Sequence, residues 1–156
     1  MVKLANLLFE SSAFVKYFQL EAVSQQVIVL IDDPKHQAFV SWLTLLEFHS
    51  ALLKRVRMVE LSLNEFHRIC RTFYAYIRSG RFRIVWWSPC QLWIAISLLL
   101  EHGQSRPLRT LDALQLAIAL NLKDQGLLDA FVCADETLCQ LAEEGGITVI
   151  NPLGGF

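Results

Sequence analysis

Short apolar segments alternate along the chain with longer segments of helical spacing. The candidate strands are residues 5–9, 38–42, 83–87, 130–134 and 148–150. The helical patterns lie at about residues 12–17, 21–31, 45–57, 63–79, 89–102, 110–124 and 136–144. The strand segments are predominantly apolar, as expected when a sheet is covered on both faces. Because parallel neighbours need a crossover connection, this order predicts an α/β fold with a mostly parallel sheet of four to five strands.

Several predicted helix ends carry capping residues. The segments TLLE at 44–47 and SLNE at 62–65 both fit the capping box. Pro89 is placed as a first-turn proline, and Gly145 fits a C-terminal cap. These features support the helical boundaries drawn from periodicity.

Length and composition indicate one folded domain. The 156 residues are 54% hydrophobic and 19% charged, so a large core is available and disorder is excluded. The most apolar stretch, residues 92–100, is about half of the ~20 residues that a membrane span needs. We therefore expect a single soluble domain over residues 1–156, located in the cytoplasm and not in a membrane.

Four cysteines occur without a CxxC pair or zinc-type spacing to histidine. We expect Cys70, Cys90, Cys133 and Cys139 to be buried free thiols in a reducing compartment. Walker-type, dinucleotide-binding, HExxH and GxSxG motifs do not occur in the sequence. Nucleotide hydrolysis, hydride transfer and serine or zinc hydrolysis therefore have no support.

Charge is unevenly distributed although the chain as a whole carries −1. Residues 54–109 hold ten basic and three acidic residues, a net +7, which leaves −8 for the remainder. This asymmetry allows a basic surface beside an acidic site. A solvated helix face explains the same arginines equally simply, and both interpretations stay open.

Four acidic residues follow predicted strands or begin the helices after them. Glu10 and Asp135 directly follow strands, whereas Glu47 and Asp112 lie in first helical turns. Ligands in open parallel sheets bind at the carboxyl ends of the strands, so we expect these carboxylates to meet there. Clustered carboxylates repel unless a cation intervenes, and their oxygens suit Mg²⁺ or Mn²⁺. The pattern favours metal-dependent hydrolysis of a phosphodiester.

Each acid also has a purely structural interpretation. Glu10 and Asp135 are placed to cap helices, Glu47 to complete a capping box, and Asp112 to complement a helix dipole. The sequence alone leaves both interpretations open.

Five segments stand out along the chain: FESSAFVK (9–16), SWLTLLE (41–47), LRTLDALQLA (108–117), CADETL (133–138) and GITVINP (146–152). In order and spacing, they resemble the sequence blocks of the PIN domain, especially of VapC-type toxins. The resemblance implies a three-layer α/β/α sandwich and an Mg²⁺- or Mn²⁺-dependent endoribonuclease. It also implies the toxin of a toxin–antitoxin pair, often homodimeric and neutralised by a cognate antitoxin protein.

By position in these blocks, the resemblance implies a metal-binding and catalytic set. Its members are Glu10, Glu47, Asp112 and Asp135. Three hydroxyl residues near these acids are candidates to support metal-bound water or phosphate, or alternatively serve as turn and cap residues: Ser11, Ser12 and Thr110. Arg109 either contacts the scissile phosphate or pairs with an acid one helical turn away. Arg81 and Arg83 are candidate contacts to RNA phosphates.

Two positions depart from the family pattern. Glu10 stands where the family usually has Asp, and Cys133 stands where Thr is common. The extra methylene of Glu10 displaces its carboxylate by up to ~1.5 Å, which is large for the strict geometry of Mg²⁺. The alternative function is therefore a PIN-fold protein with impaired catalysis that acts by binding protein or RNA. A structural homo-oligomer is a third possibility.

Overall fold

Five parallel strands form the centre of the protein in a computed structural model, which describes residues 4–18 and 24–154. The strands are β1 (Ala5–Phe9), β2 (His36–Ser41), β3 (Phe82–Val85), β4 (Ala130–Val132) and β5 (Val149–Ile150). They lie in the order β3-β2-β1-β4-β5, and every neighbouring pair is parallel. The parallel α/β sheet predicted from the sequence is confirmed.

Seven α-helices of the described residues surround this sheet. They are α1 (Ser11–Val15), α2 (Ser24–Asp32), α3 (Trp42–Arg57), α4 (Leu63–Arg78), α5 (Pro89–His102), α6 (Thr110–Asp124) and α7 (Glu136–Glu144). A short 3-10 turn, Lys16–Phe18, extends α1. The helical pattern at 21–31 is observed from Ser24, and residues 21–23 lie outside the described part of the chain.

Alternation along β1 divides the core into two layers. Leu8 packs with apolar residues of α5, α6 and α7, whereas Leu7 and Phe9 pack with those of α1, α2, α3 and α4. Successive side chains of a strand point to opposite faces of a sheet, so the two clusters lie on its two sides. The expected three-layer α/β/α sandwich is observed.

Helix α3 begins earlier than the sequence pattern predicts. Ser41 ends β2 and is the N-cap, its Oγ accepting a 3.0 Å hydrogen bond from the backbone N–H of Thr44. Thr44 is fully buried inside the first turn, so the predicted capping box at 44–47 is wrong. Ser41 and Thr44 are both hydroxyl residues that suit an N-cap, and Ser41 takes this position because Thr44 is buried inside the helix.

The other predicted helix ends agree with the structure. Ser62 Oγ accepts from the N–H of Glu65, whose carboxylate accepts from the N–H of Ser62 at 3.0 Å, which completes the capping box of α4. Pro89 is the first residue of α5, and Gly145 is the C-cap of α7.

Among the helices of residues 4–18 and 24–154, none combines the length and the apolar character that crossing a membrane requires.

Some apolar residues expected in the interior lie on the surface. Trp86 and Trp87 follow β3 instead of extending it, and they are 67% and 53% exposed. On α5, Trp93 is also exposed. Conversely, the aromatic rings of Phe48 on α3 and Phe73 on α4 stack on each other inside the core.

The thiols divide by position. All four cysteines are free; Cys133 and Cys139 are buried and Cys70 is partly buried. Cys90 is exposed, so the expectation of four buried thiols is wrong for this residue. Cys90 is the second residue of α5 and faces solvent, which a helical apolar pattern does not reveal.

Candidate active site

Three of the four predicted acids line one open cavity at the carboxyl ends of β1 and β2. Glu10 directly follows β1, Glu47 lies on α3, and Asp112 lies in the first turn of α6. The cavity has a volume of about 570 Å³. Asp135 lines an adjacent cavity of about 470 Å³, which shares Asp112 and Arg109 with the first. The parallel topology thus brings the acids to one edge of the sheet, as predicted.

Glu10 is the N-cap of α1. Its Oε1 accepts a 2.9 Å hydrogen bond from the backbone N–H of Ser12, and its Oε2 accepts one from the Ser12 hydroxyl. The side chain is 8% exposed. Burial raises the pKa of Glu10, and the nearby charge of Glu47 raises it further, against the lowering effect of the Ser12 hydrogen bonds. The structural interpretation of Glu10 as a cap is therefore observed, and its carboxylate still faces the cavity.

Glu47 is held by a buried polar network. Its Oε2 accepts hydrogen bonds from the hydroxyl of Ser11 and, at 2.9 Å, from the side-chain amide of Gln115. The same amide nitrogen lies 2.7 Å from Ser11 Oγ and 3.2 Å from Thr44 Oγ1. The network ties α1, α3 and α6 together and fixes the position of the Glu47 carboxylate.

Gln115 is a site residue that the search for acids missed. It is 2% exposed on the buried face of α6, one turn after Asp112. A polar side chain surrounded by apolar ones in the segment LDALQLA is the available signal, since buried polar groups are normally hydrogen-bonded.

Asp112 pairs with Arg109 across the first turn of α6. Arg109 Nε lies 3.1 Å from Asp112 Oδ2, and the hydrogen bond raises the pKa of the arginine. The Arg109 side chain is 80% exposed and borders both cavities. Of the two interpretations left open by the sequence, the ion pair is the one observed. Thr110 is exposed on the first turn of α6 and lines neither cavity.

Asp135 is the N-cap of α7. Its Oδ1 accepts a 2.8 Å hydrogen bond from the backbone N–H of Leu138. The neighbouring Cys133 is buried, and the backbone carbonyl of Asp135 lies 3.6 Å from its Sγ. The carboxylate is therefore fixed by its cap role at the border of the second cavity.

Carboxylate and hydroxyl oxygens suit Mg²⁺ or Mn²⁺ in their chemistry. However, no three acidic, histidine or cysteine side chains of the described residues stand close enough together to hold a metal ion. Arg109 neutralises Asp112, and hydrogen-bond donors engage both Glu10 and Glu47. The oxygen donors fit a hard cation, but the positions of these side chains do not bring three ligands together among the described residues.

The two arginines predicted to contact RNA lie away from these cavities. Arg81 precedes β3, at the amino end of the sheet, where it pairs with Asp32 and its guanidinium lies 4.8 Å from the ring centre of Tyr76. Arg83 is exposed on β3 and lines neither cavity. Because strands of a parallel sheet begin and end at opposite edges, residues near the start of β3 cannot join the acids.

Cations not singled out from the sequence do line the first cavity. Lys16 follows α1, and Lys54 and Arg57 lie in the last turns of α3. The cavity therefore combines three carboxylates with four positive side chains, including that of Arg109.

No protein-family model matches the chain, and comparison with curated protein sequences gives no match. Solved structures do match it. A chain of a toxin–antitoxin complex from Klebsiella pneumoniae has a TM-score of 0.62 at 19% identity, covering 96% of this chain and 99% of that one. A chain of FitAcB from Neisseria gonorrhoeae has a TM-score of 0.60 at 15% identity, covering 94% and 97%.

A third solved structure, FitAB bound to an IR36 DNA fragment, contains a chain with a TM-score of 0.58 at 13% identity. The match covers 96% of this chain and 97% of that one. At these identities, the likeness establishes a shared fold over almost the whole chain.

Proposed function

We propose that the protein is a metal-dependent endoribonuclease and the toxin of a toxin–antitoxin pair. The observation that carries this proposal is the convergence of Glu10, Glu47 and Asp112 on one cavity at the carboxyl edge of the sheet. A rim of positive side chains borders the same cavity, as a polyanionic substrate requires. Structural likeness to chains of toxin–antitoxin complexes supports the biological role.

Glu10, Glu47 and Asp112 are the residues that would hold Mg²⁺ or Mn²⁺, and the Arg109–Asp112 ion pair would have to open for an ion to reach Asp112. When bound, such an ion activates water and stabilises charge on a phosphodiester. Ser11 and Gln115 keep the Glu47 carboxylate in position through their hydrogen bonds. Arg109, exposed on the surface and adjacent to Asp112, is placed to exchange its carboxylate partner for a substrate phosphate.

The test compares Asp112→Asn with Asp124→Asn, an exposed carboxylate at the end of the same helix. Single-stranded and structured RNA are incubated with each purified variant over a series of Mg²⁺ and Mn²⁺ concentrations. We expect metal-stimulated cleavage by the parent and by Asp124→Asn, and a loss of at least ~10²-fold in Asp112→Asn. If the parent leaves both RNAs intact at every metal concentration, the catalytic proposal is wrong.

A second candidate function is binding without catalysis. It is favoured by the double engagement of the Glu10 carboxylate with Ser12 and by the absence of a three-ligand cluster among the described residues. On this hypothesis, Glu10→Asp restores the shorter side chain and gains metal affinity or cleavage. Manganese titration followed by calorimetry measures the gain, and an unchanged affinity together with unchanged cleavage would count against it.

The partners of the proposed toxin are a cognate antitoxin protein and a second copy of the chain. Exposed Trp86, Trp87 and Trp93 provide apolar surface that suits a protein partner. Expression in a bacterial host is expected to arrest growth, and Asp112→Asn is expected to abolish the arrest. Light scattering tests the homodimer. The RNA substrate and a cytoplasmic location remain predictions.

A further inference from the structure

One face of α3 leads from the carboxylates of the cavity to a positively charged end. The cavity-lining residues of this helix are Glu47, Ser50, Ala51, Lys54 and Arg57. Their spacing of three and four residues places them in one row along the helix. At 1.5 Å per residue, Lys54 lies about 10 Å and Arg57 about 15 Å along the axis from Glu47.

Three of the cations that line this cavity have no partners of their own. Among residues 4–18 and 24–154, the side chains of Lys16, Lys54 and Arg57 form no ion pair and no hydrogen bond. Other arginines do have partners; Arg55, for example, pairs with Glu60. Lys54 and Arg57 therefore make the cavity positively charged at the end of α3, away from Glu47, and Lys16 adds a third uncommitted positive charge to the lining.

This separation of charge suits a long polyanion better than a small one. Phosphates at the cationic end are attracted without competition, whereas the acidic end repels a phosphate unless a cation is bound there. Among the residues that the structure describes, the lining contains small or aliphatic side chains such as Val15, Ala51 and Leu111, and no aromatic ring. Bases therefore have nothing to stack on, and the contact is to the backbone.

We propose that Lys16, Lys54 and Arg57 form a phosphate-binding track for the backbone of a single-stranded nucleic acid. The track holds phosphates that flank the bond lying at the carboxylates, about 10–15 Å away along α3. The choice of a nucleic acid as the ligand rests on the proposed function. Because only phosphates are contacted, binding is independent of base sequence and common to RNA and DNA.

The experiment measures binding and not cleavage. Fluorescein-labelled RNA and DNA 12-mers of equivalent mixed sequence (U in RNA, T in DNA) are titrated with the Asp112→Asn protein in EDTA, between 50 and 200 mM salt, and anisotropy is recorded. The triple variant Lys16→Gln/Lys54→Gln/Arg57→Gln is compared in the same background. The matched control is Arg68→Gln/Arg71→Gln/Arg78→Gln, which removes three exposed charges of α4 outside the cavity.

Each phosphate contact to a single strand contributes about 0.7 to the slope of log affinity against log salt. The triple variant is therefore expected to lose about 2 from this slope and to bind at least ~10-fold more weakly at 50 mM salt. RNA and DNA are expected to lose affinity equally, and the α4 control is expected to keep the parental slope. Thermal melting of each variant verifies that the fold is retained.

Two results would overturn the track: a triple variant with the parental slope, or polyglutamate competing as well as RNA of equal charge. The second result would indicate a site for acidic peptides. Failure of the proposed function gives a different result. If the protein binds RNA through these residues but cleaves none, the phosphate-binding track is supported and the ribonuclease proposal is wrong.

Discussion

The side-chain amide of Gln115 donates a 2.9 Å hydrogen bond to the carboxylate of Glu47 and thereby links α6 to α3 beneath the cavity. The same amide also contacts Ser11 and Thr44, so one buried side chain of α6 serves acceptors on two other helices, α1 and α3. A buried donor of this kind fixes the positions of the side chains that it contacts. It also contributes stability, because each buried acceptor that lost this hydrogen bond would bear an uncompensated desolvation cost.

Replacing Gln115 by leucine is expected to lower the free energy of unfolding by about 1–3 kcal/mol, because the volume is kept and the hydrogen bonds are lost. Urea unfolding measures the change. Gln125→Leu is the control, since Gln125 is exposed and its amide contacts only Asn121. If Gln115→Leu is as stable as this control, the network contributes nothing to stability.

The main elements of the fold were predictable because burial leaves a strong pattern. The sheet has strands buried on both faces, so residues 5–9 were predicted to the residue, and the order of strands and helices required parallel pairing. The end of β3 was not predictable, because Trp86 and Trp87 are as apolar as the strand yet lie in solvent. Hydrophobicity alone does not tell an exposed aromatic side chain from a core one.

The acids of the site were predictable from topology, whereas their partners were not. A sequence places Asp112 at the start of a helix, but whether Arg109 contacts it depends on side-chain rotamers. Similarly, Lys54 and Arg57 line the cavity because they lie on the same face of α3 as Glu47. Which face of α3 borders the cavity is determined by the tertiary packing of the helix. Such contacts require the assembled structure.

Replacing Arg109 by glutamine is expected to tighten Mn²⁺ binding by roughly fivefold. The substitution removes a positive charge beside Asp112 that repels the metal ion, and such a repulsion amounts to about 1 kcal/mol in water. Stability is expected to change by less than ~0.5 kcal/mol because the ion pair is exposed. Calorimetry in Mn²⁺ gives the affinity. Arg55→Gln, which removes the partner of Glu60 and lines neither cavity, is expected to leave it unchanged. Weaker Mn²⁺ binding in Arg109→Gln would show that the arginine assists the site.

Glu10 is expected to make stability depend on pH. Its pKa is raised above the ordinary 4.5, so the folded protein binds more protons than the unfolded chain between 4.5 and the raised value. The stability contributed by protonated Glu10 is therefore present below pH 4.5 and lost as pH rises through the raised pKa. Removing the charge by Glu10→Gln keeps an oxygen for the Ser12 N–H and should relieve this loss.

We therefore expect Glu10→Gln to melt higher than the parent at pH 7, by about 2–4 °C for each kcal/mol relieved, and to differ less at pH 4. Circular dichroism melting without metal measures both values. Glu143→Gln, which removes an exposed carboxylate of α7, is the control and should follow the parent at both pH values. A parent that is relatively more stable at pH 7 than Glu10→Gln would contradict a raised pKa.

The cysteines are expected to react with a thiol reagent in a defined order. Cys90 is exposed and should be modified first, and Cys70 is partly buried and should follow. A hydrogen bond involving Cys139, together with burial, raises the pKa of Cys133, and since only the thiolate reacts this residue should be protected until the protein unfolds. Absorbance with an aromatic disulfide reagent counts the thiols over time. Cys90→Ser is expected to remove the fast phase alone; a fast phase that persists in this variant would place another thiol at the surface.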